Sequence, residues 1–91
     1  MAIVVTAEVS GLNESNYHES IRRAKKIGLG SPKGRLYHFC YGDKQNLQVL
    51  EVFENKARFV AYGFKFGPVL NKLGVDVKKT HIHDVYNIIE G

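Results

Sequence analysis

The hydrophobic pattern of this chain changes period in a fixed order, and that order limits the folds open to it. Ala2 to Val9 is rich in β-branched residues and reads as a strand. Asn13 is placed to cap a helix, and Tyr17, Ile21, Ala24 and Ile27 or Gly28 follow at helical spacing with charges between them. Gly28 and Gly30 suit a helix stop, and Ser31-Pro32-Lys33-Gly34 completes a loop. Arg35 to Tyr41 and Gln45 to Glu54 alternate with a period of two, joined by a hairpin at Gly42-Asp43-Lys44. Asn55 caps a second helix carrying Phe59, Tyr62 or Gly63, Phe66, Leu70 and Leu73. Pro68 inside that run predicts a break at Phe66-Gly67, and Gly74 ends the helix. Asp76 to Ile89 reads as the closing strand. The order β-α-β-β-α-β is the split βαβ, ferredoxin-like motif of the α+β class: an antiparallel sheet with two helices on one face.

Period-two alternation assigns faces. Leu36, His38 and Cys40 share one side of the second strand, and Arg35, Tyr37, Phe39 and Tyr41 the other. On the third strand Leu47, Val49, Glu51 and Phe53 oppose Leu50 and Val52. On the last, His81, His83 and Val85 oppose Ile82, Asp84 and Tyr86. The helix-free side of the sheet then carries Tyr37, Phe39, Tyr41, Leu50 and Val52. That is more contiguous apolar surface than a monomer normally leaves in water. A two-fold axis that packs this face on its twin buries it, so a homodimer through the open sheet face is expected.

At 91 residues the chain makes one domain, residues 1–91. The single cysteine, Cys40, allows no internal disulfide and suits a reducing, cytoplasmic setting. The start of the chain lacks the charged and apolar regions of a leader, and no stretch is long and apolar enough for a membrane span. The net charge of +4 comes largely from Arg22, Arg23, Lys25, Lys26, Lys33 and Arg35, which read as a solvated helix face and its loop. RNA-recognition domains share this topology, but they place aromatic residues on the first and third strands. Here the first strand has none and Leu47 to Glu54 carries only Phe53, so a nucleic-acid partner is not expected.

His38 is the first candidate for chemistry. A neutral imidazole facing the helices can take a proton from a phenol or an activated C–H, leaving an electron-rich anion to meet oxygen. Glu51, on the neighbouring strand, can orient that imidazole. Each has a bland counterpart: a core histidine bonded to its neighbours, and a carboxylate paired at the sheet edge. Tyr17 and Tyr62, one per helix, can line the far wall of a pocket or simply fill the core. His81-x-His83 places two imidazoles on one strand face; with His38 they could build a metal site, but no carboxylate-rich motif accompanies them. Gly28-Leu29-Gly30 follows a helix, the wrong context for a dinucleotide fingerprint. Cys40, in mid-strand, is not placed as a catalytic thiol.

Gly11-Leu12, Tyr17, Pro32 and Gly34 before the strand of His38, Val49 to Asn55 leading into the second helix, Gly67-Pro68 and Gly74 together span nearly the whole chain. This pattern resembles the dimeric α/β-barrel proteins, and among them the antibiotic-biosynthesis-monooxygenase (ABM)-like domains. The resemblance implies a dimeric α/β barrel with a pocket between sheet and helices in each subunit. It implies oxidation of phenolic substrates without metal or flavin, so no cofactor is expected. The family's tryptophan at the end of the third strand corresponds to Phe53, a substrate-stacking position. The family's asparagine falls near Val49, which cannot hydrogen-bond a substrate. The histidine of the related haem-degrading group falls near Gly63 or Phe64, where this chain has none, so haem degradation is not implied. The functional expectation is a cofactor-independent monooxygenase-like enzyme acting on a small aromatic or phenolic substrate, with His38 as general base, Glu51 beside it, and Phe53, Tyr17, Tyr62 and His83 around the substrate. The alternative is a non-catalytic dimeric domain that binds a small apolar ligand.

Overall fold

A computed structural model describes residues 1–91 and shows the expected element order: β1 (Ile3–Ser10), α1 (Glu14–Lys26), β2 (Arg35–Asp43), β3 (Asn46–Phe53), α2 (Lys56–Lys72) and β4 (Asp76–Asp84). The strands form one sheet in the order β2-β3-β1-β4, with every neighbouring pair antiparallel. The first and last strands in sequence thus meet side by side, as the split βαβ motif requires. No helix is long and apolar enough to cross a membrane.

Local chemistry fixes the joints. Asn13 accepts a hydrogen bond from the Asn16 backbone N–H while the Asn16 side chain accepts from the Asn13 N–H, a reciprocal cap at the start of α1. Asn55 caps α2 through the Arg58 N–H. Gly74 follows α2 at φ +77°, and Gly11 at φ +82° lies so close to it that a Cβ would sit 2.6 Å from the Gly74 carbonyl oxygen. Only glycine allows both the left-handed backbone and this contact.

Four sequence expectations are corrected. The helix α2 runs unbroken through Pro68. Proline forfeits one intrahelical hydrogen bond and crowds the carbonyl of Phe64. Phe64 is 84% exposed and Pro68 is exposed too, so the defect falls on the solvent side, where water can take the freed carbonyl. The hairpin turns on Lys44-Gln45, with Asp43 facing Asn46. The last strand ends at Asp84 because its partner ends there: Ile3, the first residue of β1, pairs with Asp84. Residues 85–91 leave the sheet edge and cross the helix-free face, where they form a shallow groove with Val4, Tyr37, Phe39 and Val52. The Tyr37 hydroxyl donates to the Glu90 carboxylate at the end of that path.

The fourth correction is a β-bulge. Arg35 faces Phe53 and Tyr37 faces Val52, so two steps on β2 match one on β3 and Leu36 is the extra residue. Arg35 therefore shares the helix-covered side with His38, while Leu36 is left exposed.

Two apolar clusters sit beneath the helices. Ile3, Val5, Phe53 and Tyr62 form one, with Leu29, Phe59 and Phe66 against it. Val9, Leu12 and Val75 form the other, flanked by Leu70 and Leu73. Only 12 of the 91 residues are buried, so these clusters do not close into one continuous core. The space left over is the candidate site.

Candidate functional site

Between the sheet and the two helices lies a cavity of about 180 Å³, with 15 of its 23 lining residues hydrophobic. Small residues keep it open. Gly63 and Gly67 of α2 line it, and a Cβ built on either would meet nothing within 4 Å. Ala7 of β1 and Ala24 of α1 line it as well. A cavity of ~150 Å³ in another protein holds a benzene molecule, so this one has room for a substituted aromatic ring.

The polar contents gather in one chain of hydrogen bonds. His38 and Glu51 are directly opposed on β2 and β3, which brings both side chains to the same face. His38 Nδ1 lies 2.8 Å from Glu51 Oε1, and His38 Nε2 lies 2.7 Å from the Tyr17 hydroxyl of α1. An ionised carboxylate can only accept, so the proton between His38 and Glu51 belongs to Nδ1. In the neutral ring Nε2 is then a bare acceptor, and the Tyr17 hydroxyl donates to it. The Tyr17 and His38 rings are nearly parallel, 7° apart with centroids 6.0 Å from each other, an arrangement compatible with donation to the in-plane lone pair of Nε2.

Glu51 is 6% exposed, and its second oxygen, Oε2, is buried without a partner. Leaving a buried carboxylate oxygen unmatched is costly, which marks a place where a donor from outside the chain would be favourable.

The phenols and the thiol beside this chain keep their protons. Burial pushes the Tyr17 hydroxyl above the ordinary tyrosine range, helped by Cys40 and Glu51 and opposed by Arg35. Burial raises Tyr62 further, again with Glu51 adding and Arg35 opposing. Both phenols therefore act as hydrogen-bond donors at neutral pH and not as bases. Burial also raises the Cys40 thiol, so it lacks thiolate character.

The expected site residues do not all meet here. His38, Glu51, Tyr17 and Tyr62 line the cavity. Phe53 is completely buried behind it, packed against the Phe59 and Tyr62 rings at 5.5 and 5.4 Å; it backs the aromatic wall and is not on its surface. His83 is a correction. It pairs with Val4 on the helix-free side, while Ile82 pairs with the cavity-lining Val5. His81, opposite Thr6, shares that outer side, so the three histidines are divided between the two faces of the sheet. No group of three or more metal-ligating side chains is assembled.

Two cavity residues were not legible in the sequence. Arg35 arrives through the bulge at Leu36, and its guanidinium carbon stands 6.0 Å from the Tyr62 ring centroid. Thr80 faces inward because it pairs with Ala7 in the same register that pairs Ile82 with Val5, and an irregularity between Glu8 and Val9 then brings Val77 to the same face.

No protein-family model and no curated protein matches this sequence. Solved structures do match in fold. SnoaB, a cofactor-independent oxygenase from Streptomyces nogalater, aligns over 99% of this chain and 96% of its own, with a TM-score of 0.62 at 16% identity. A Deinococcus radiodurans protein, whose assignment as an antibiotic biosynthesis monooxygenase is provisional, aligns over 99% and 97% with a TM-score of 0.62 at 14% identity. A structural-genomics protein, YJCS, aligns over 93% and 99% with a TM-score of 0.65 at 15% identity. The chain thus has the ferredoxin-like fold of the ABM-like domains. At these identities the likeness is one of architecture, and chemistry has to be argued from the cavity itself.

Proposed function

We propose that the protein is a cofactor-independent monooxygenase-like enzyme acting on a small phenolic or activated-methylene aromatic substrate held in the cavity. The observation that carries this reading is the Tyr17–His38–Glu51 chain, a base with its orienting carboxylate, set into a mostly apolar chamber. A purely apolar ligand has no use for that chain. A substrate with an acidic hydrogen does.

His38 Nε2 takes the proton, either directly after the substrate displaces the Tyr17 hydroxyl or through that hydroxyl. Glu51 holds the imidazole in the productive tautomer and stabilises the imidazolium that forms. The substrate anion gives one electron to dioxygen, and the resulting radical and superoxide combine at carbon. His38 returns the proton to the peroxide, which loses water to leave a carbonyl. Atoms balance as CH₂ + O₂ → C=O + H₂O. The apolar walls exclude water from the anion and leave dioxygen free to enter. The open sheet face, in this reading, pairs with the same face of a second copy to complete a dimeric barrel.

Oxygen uptake with a panel of small phenols and anthrone-like compounds tests the proposal. Wild-type protein is expected to consume oxygen with at least one of them. His38→Ala is expected to lower kcat/KM by about 10²–10⁴-fold, the usual contribution of a general base. Binding without any oxygen uptake by the wild type would replace the enzyme with a ligand-holding domain.

A further inference from the structure

Arg35 stands out once the cavity is drawn. It is half-buried and lines a mostly apolar chamber, yet it makes no ion pair. Its guanidinium donates at 3.3 Å to the Gly30 carbonyl and stands beside Tyr62, whose raised hydroxyl it opposes, but neither neighbour carries a charge. Glu51, on the same cavity wall, keeps one oxygen unmatched. The chamber therefore holds an unpaired cation and an unsatisfied acceptor that do not satisfy each other. An apolar ligand would leave both unmet at a desolvation cost. A phenol meets both in turn, first as a donor toward the carboxylate end and then, once ionised, as an oxyanion for the guanidinium.

Charge balance gives the same answer. Arg35, ionised Glu51 and neutral His38 sum to zero. After proton transfer the set is Arg35, Glu51, protonated His38 and phenolate, which again sums to zero. Without Arg35 the set carries one net negative charge both before and after the transfer, and the phenolate has to form in a low-dielectric space that is already negative. The remaining titratable groups facing this point are Tyr17 of α1, Tyr62 of α2 and Cys40, which neighbours Tyr17 on β2; each has its proton held by burial. The strands β1 and β4 present Val5, Ala7, Val9, Val77 and Thr80 and so add no charge.

We propose that Arg35 is the oxyanion partner of the cavity and makes it selective for a single-ring phenol, bound so that its oxygen ionises beside the guanidinium while the proton passes to His38. The proposal rests on the reading of the cavity as the ligand site, but it does not depend on oxygen chemistry. A guanidinium fits the task because it remains charged at every accessible pH and presents several donors in one plane.

The test uses 4-nitrophenol, whose ionisation is visible by absorbance, bound to the intact wild-type protein and to Arg35→Gln and Arg35→Lys. In wild type the bound phenol is expected to ionise about one unit or more below its value in free solution, as an adjacent cation dictates. In Arg35→Gln, burial acts unopposed and ionisation should move above the free value; Arg35→Lys should fall between the two. Far-ultraviolet circular dichroism and melting of each variant show whether the fold is kept. An ionisation midpoint the same in wild type and in a folded Arg35→Gln, or failure of 4-nitrophenol to bind wild type, overturns the proposal. If the Arg35-dependent shift is present while no phenol supports oxygen uptake, the monooxygenase reading falls and the oxyanion site stands.

Discussion

The two faces of the sheet are built from the same strands and differ in an unexpected direction. The helix-covered face encloses His38, Glu51 and Arg35, three polar or charged residues, where a small domain would ordinarily place only hydrocarbon. The helix-free face carries Phe39, 54% exposed, and Tyr41, 50% exposed, where water would favour polar side chains. Alternation in an antiparallel sheet normally runs apolar inward and polar outward. Here each side departs from the rule at its centre, and the two proposals answer the two departures: a polar ligand within, and a second copy without. Inside, the departure is local, since Val5, Phe53 and Tyr62 still make a firm cluster beside the cavity. Outside, residues 85–91 cover one end of the face, with the Tyr37–Glu90 bond tying them down. Tyr41 remains bare beyond that end.

This contrast can be broken from either side. The largest stability effect should come from Phe53→Ala. Its ring is fully buried between the sheet and the Phe59 and Tyr62 rings, and its loss is expected to cost about 3–5 kcal/mol by urea denaturation. A small cost would mean that the inner face collapses easily and that the cavity is not held open by a rigid wall. On the outer face, Phe39→Asp should abolish pairing of two copies in sedimentation velocity while changing the stability of the single chain by no more than about 0.5 kcal/mol, since the residue is exposed there. A dimer that survives would move the interface off this face.

Alkaline pH separates the faces more finely. Burial raises Tyr62, so the folded chain keeps its proton at a pH where the unfolded chain, titrating near ~10, has lost it. Stability from this source is fully present below the unfolded value and is lost as pH rises through the folded one. Denaturation midpoints should fall above pH ~10, and Tyr62→Phe should flatten that fall. An equal fall in both proteins would place the sensitive group elsewhere. The smallest effect is a gain. Gly63 lies in α2 with open space where a Cβ would go, so Gly63→Ala should stabilise the helix by about 0.5–1 kcal/mol and narrow the ligand chamber. Tighter binding of a ring-sized ligand to that variant would contradict the assignment of this space to the ligand.

Much of this was readable in the sequence, and the residues show why. His38 and Glu51 were placed together because both sit in mid-strand, where a period of two holds and a short hairpin sets the register. Asn13, Asn55 and Gly74 announced the helix ends through local chemistry alone. Alternation alone puts Arg35 on the helix-free face, but a bulge inserts one residue and inverts the alternation on one side of it, and nothing in Arg35-Leu36-Tyr37 announces a bulge. His83 departs from its expected face for a related reason. Alternation groups residues into two faces, but which face meets the helices depends on pairing with β1, a partner far away in sequence. The overlong last strand has the same origin, since Val85 to Ile89 are rich in β-branched and aromatic residues but have no neighbouring strand to join. Pro68 predicts a break, but on the exposed side of α2 water can take the freed carbonyl and the helix continues.

The central claim is that His38 presents a bare Nε2 to the cavity while Glu51 holds its other nitrogen, and this can be tested before any substrate is known. Long-range proton–nitrogen correlation spectra of labelled protein report which ring nitrogen carries the proton. The account predicts a neutral His38 with its proton on Nδ1, and a change at the Nε2 resonance when Tyr17→Phe removes the hydroxyl that donates to it. A neutral ring with its proton on Nε2 and a bare Nδ1 would contradict the account, because no lone pair would then face the cavity.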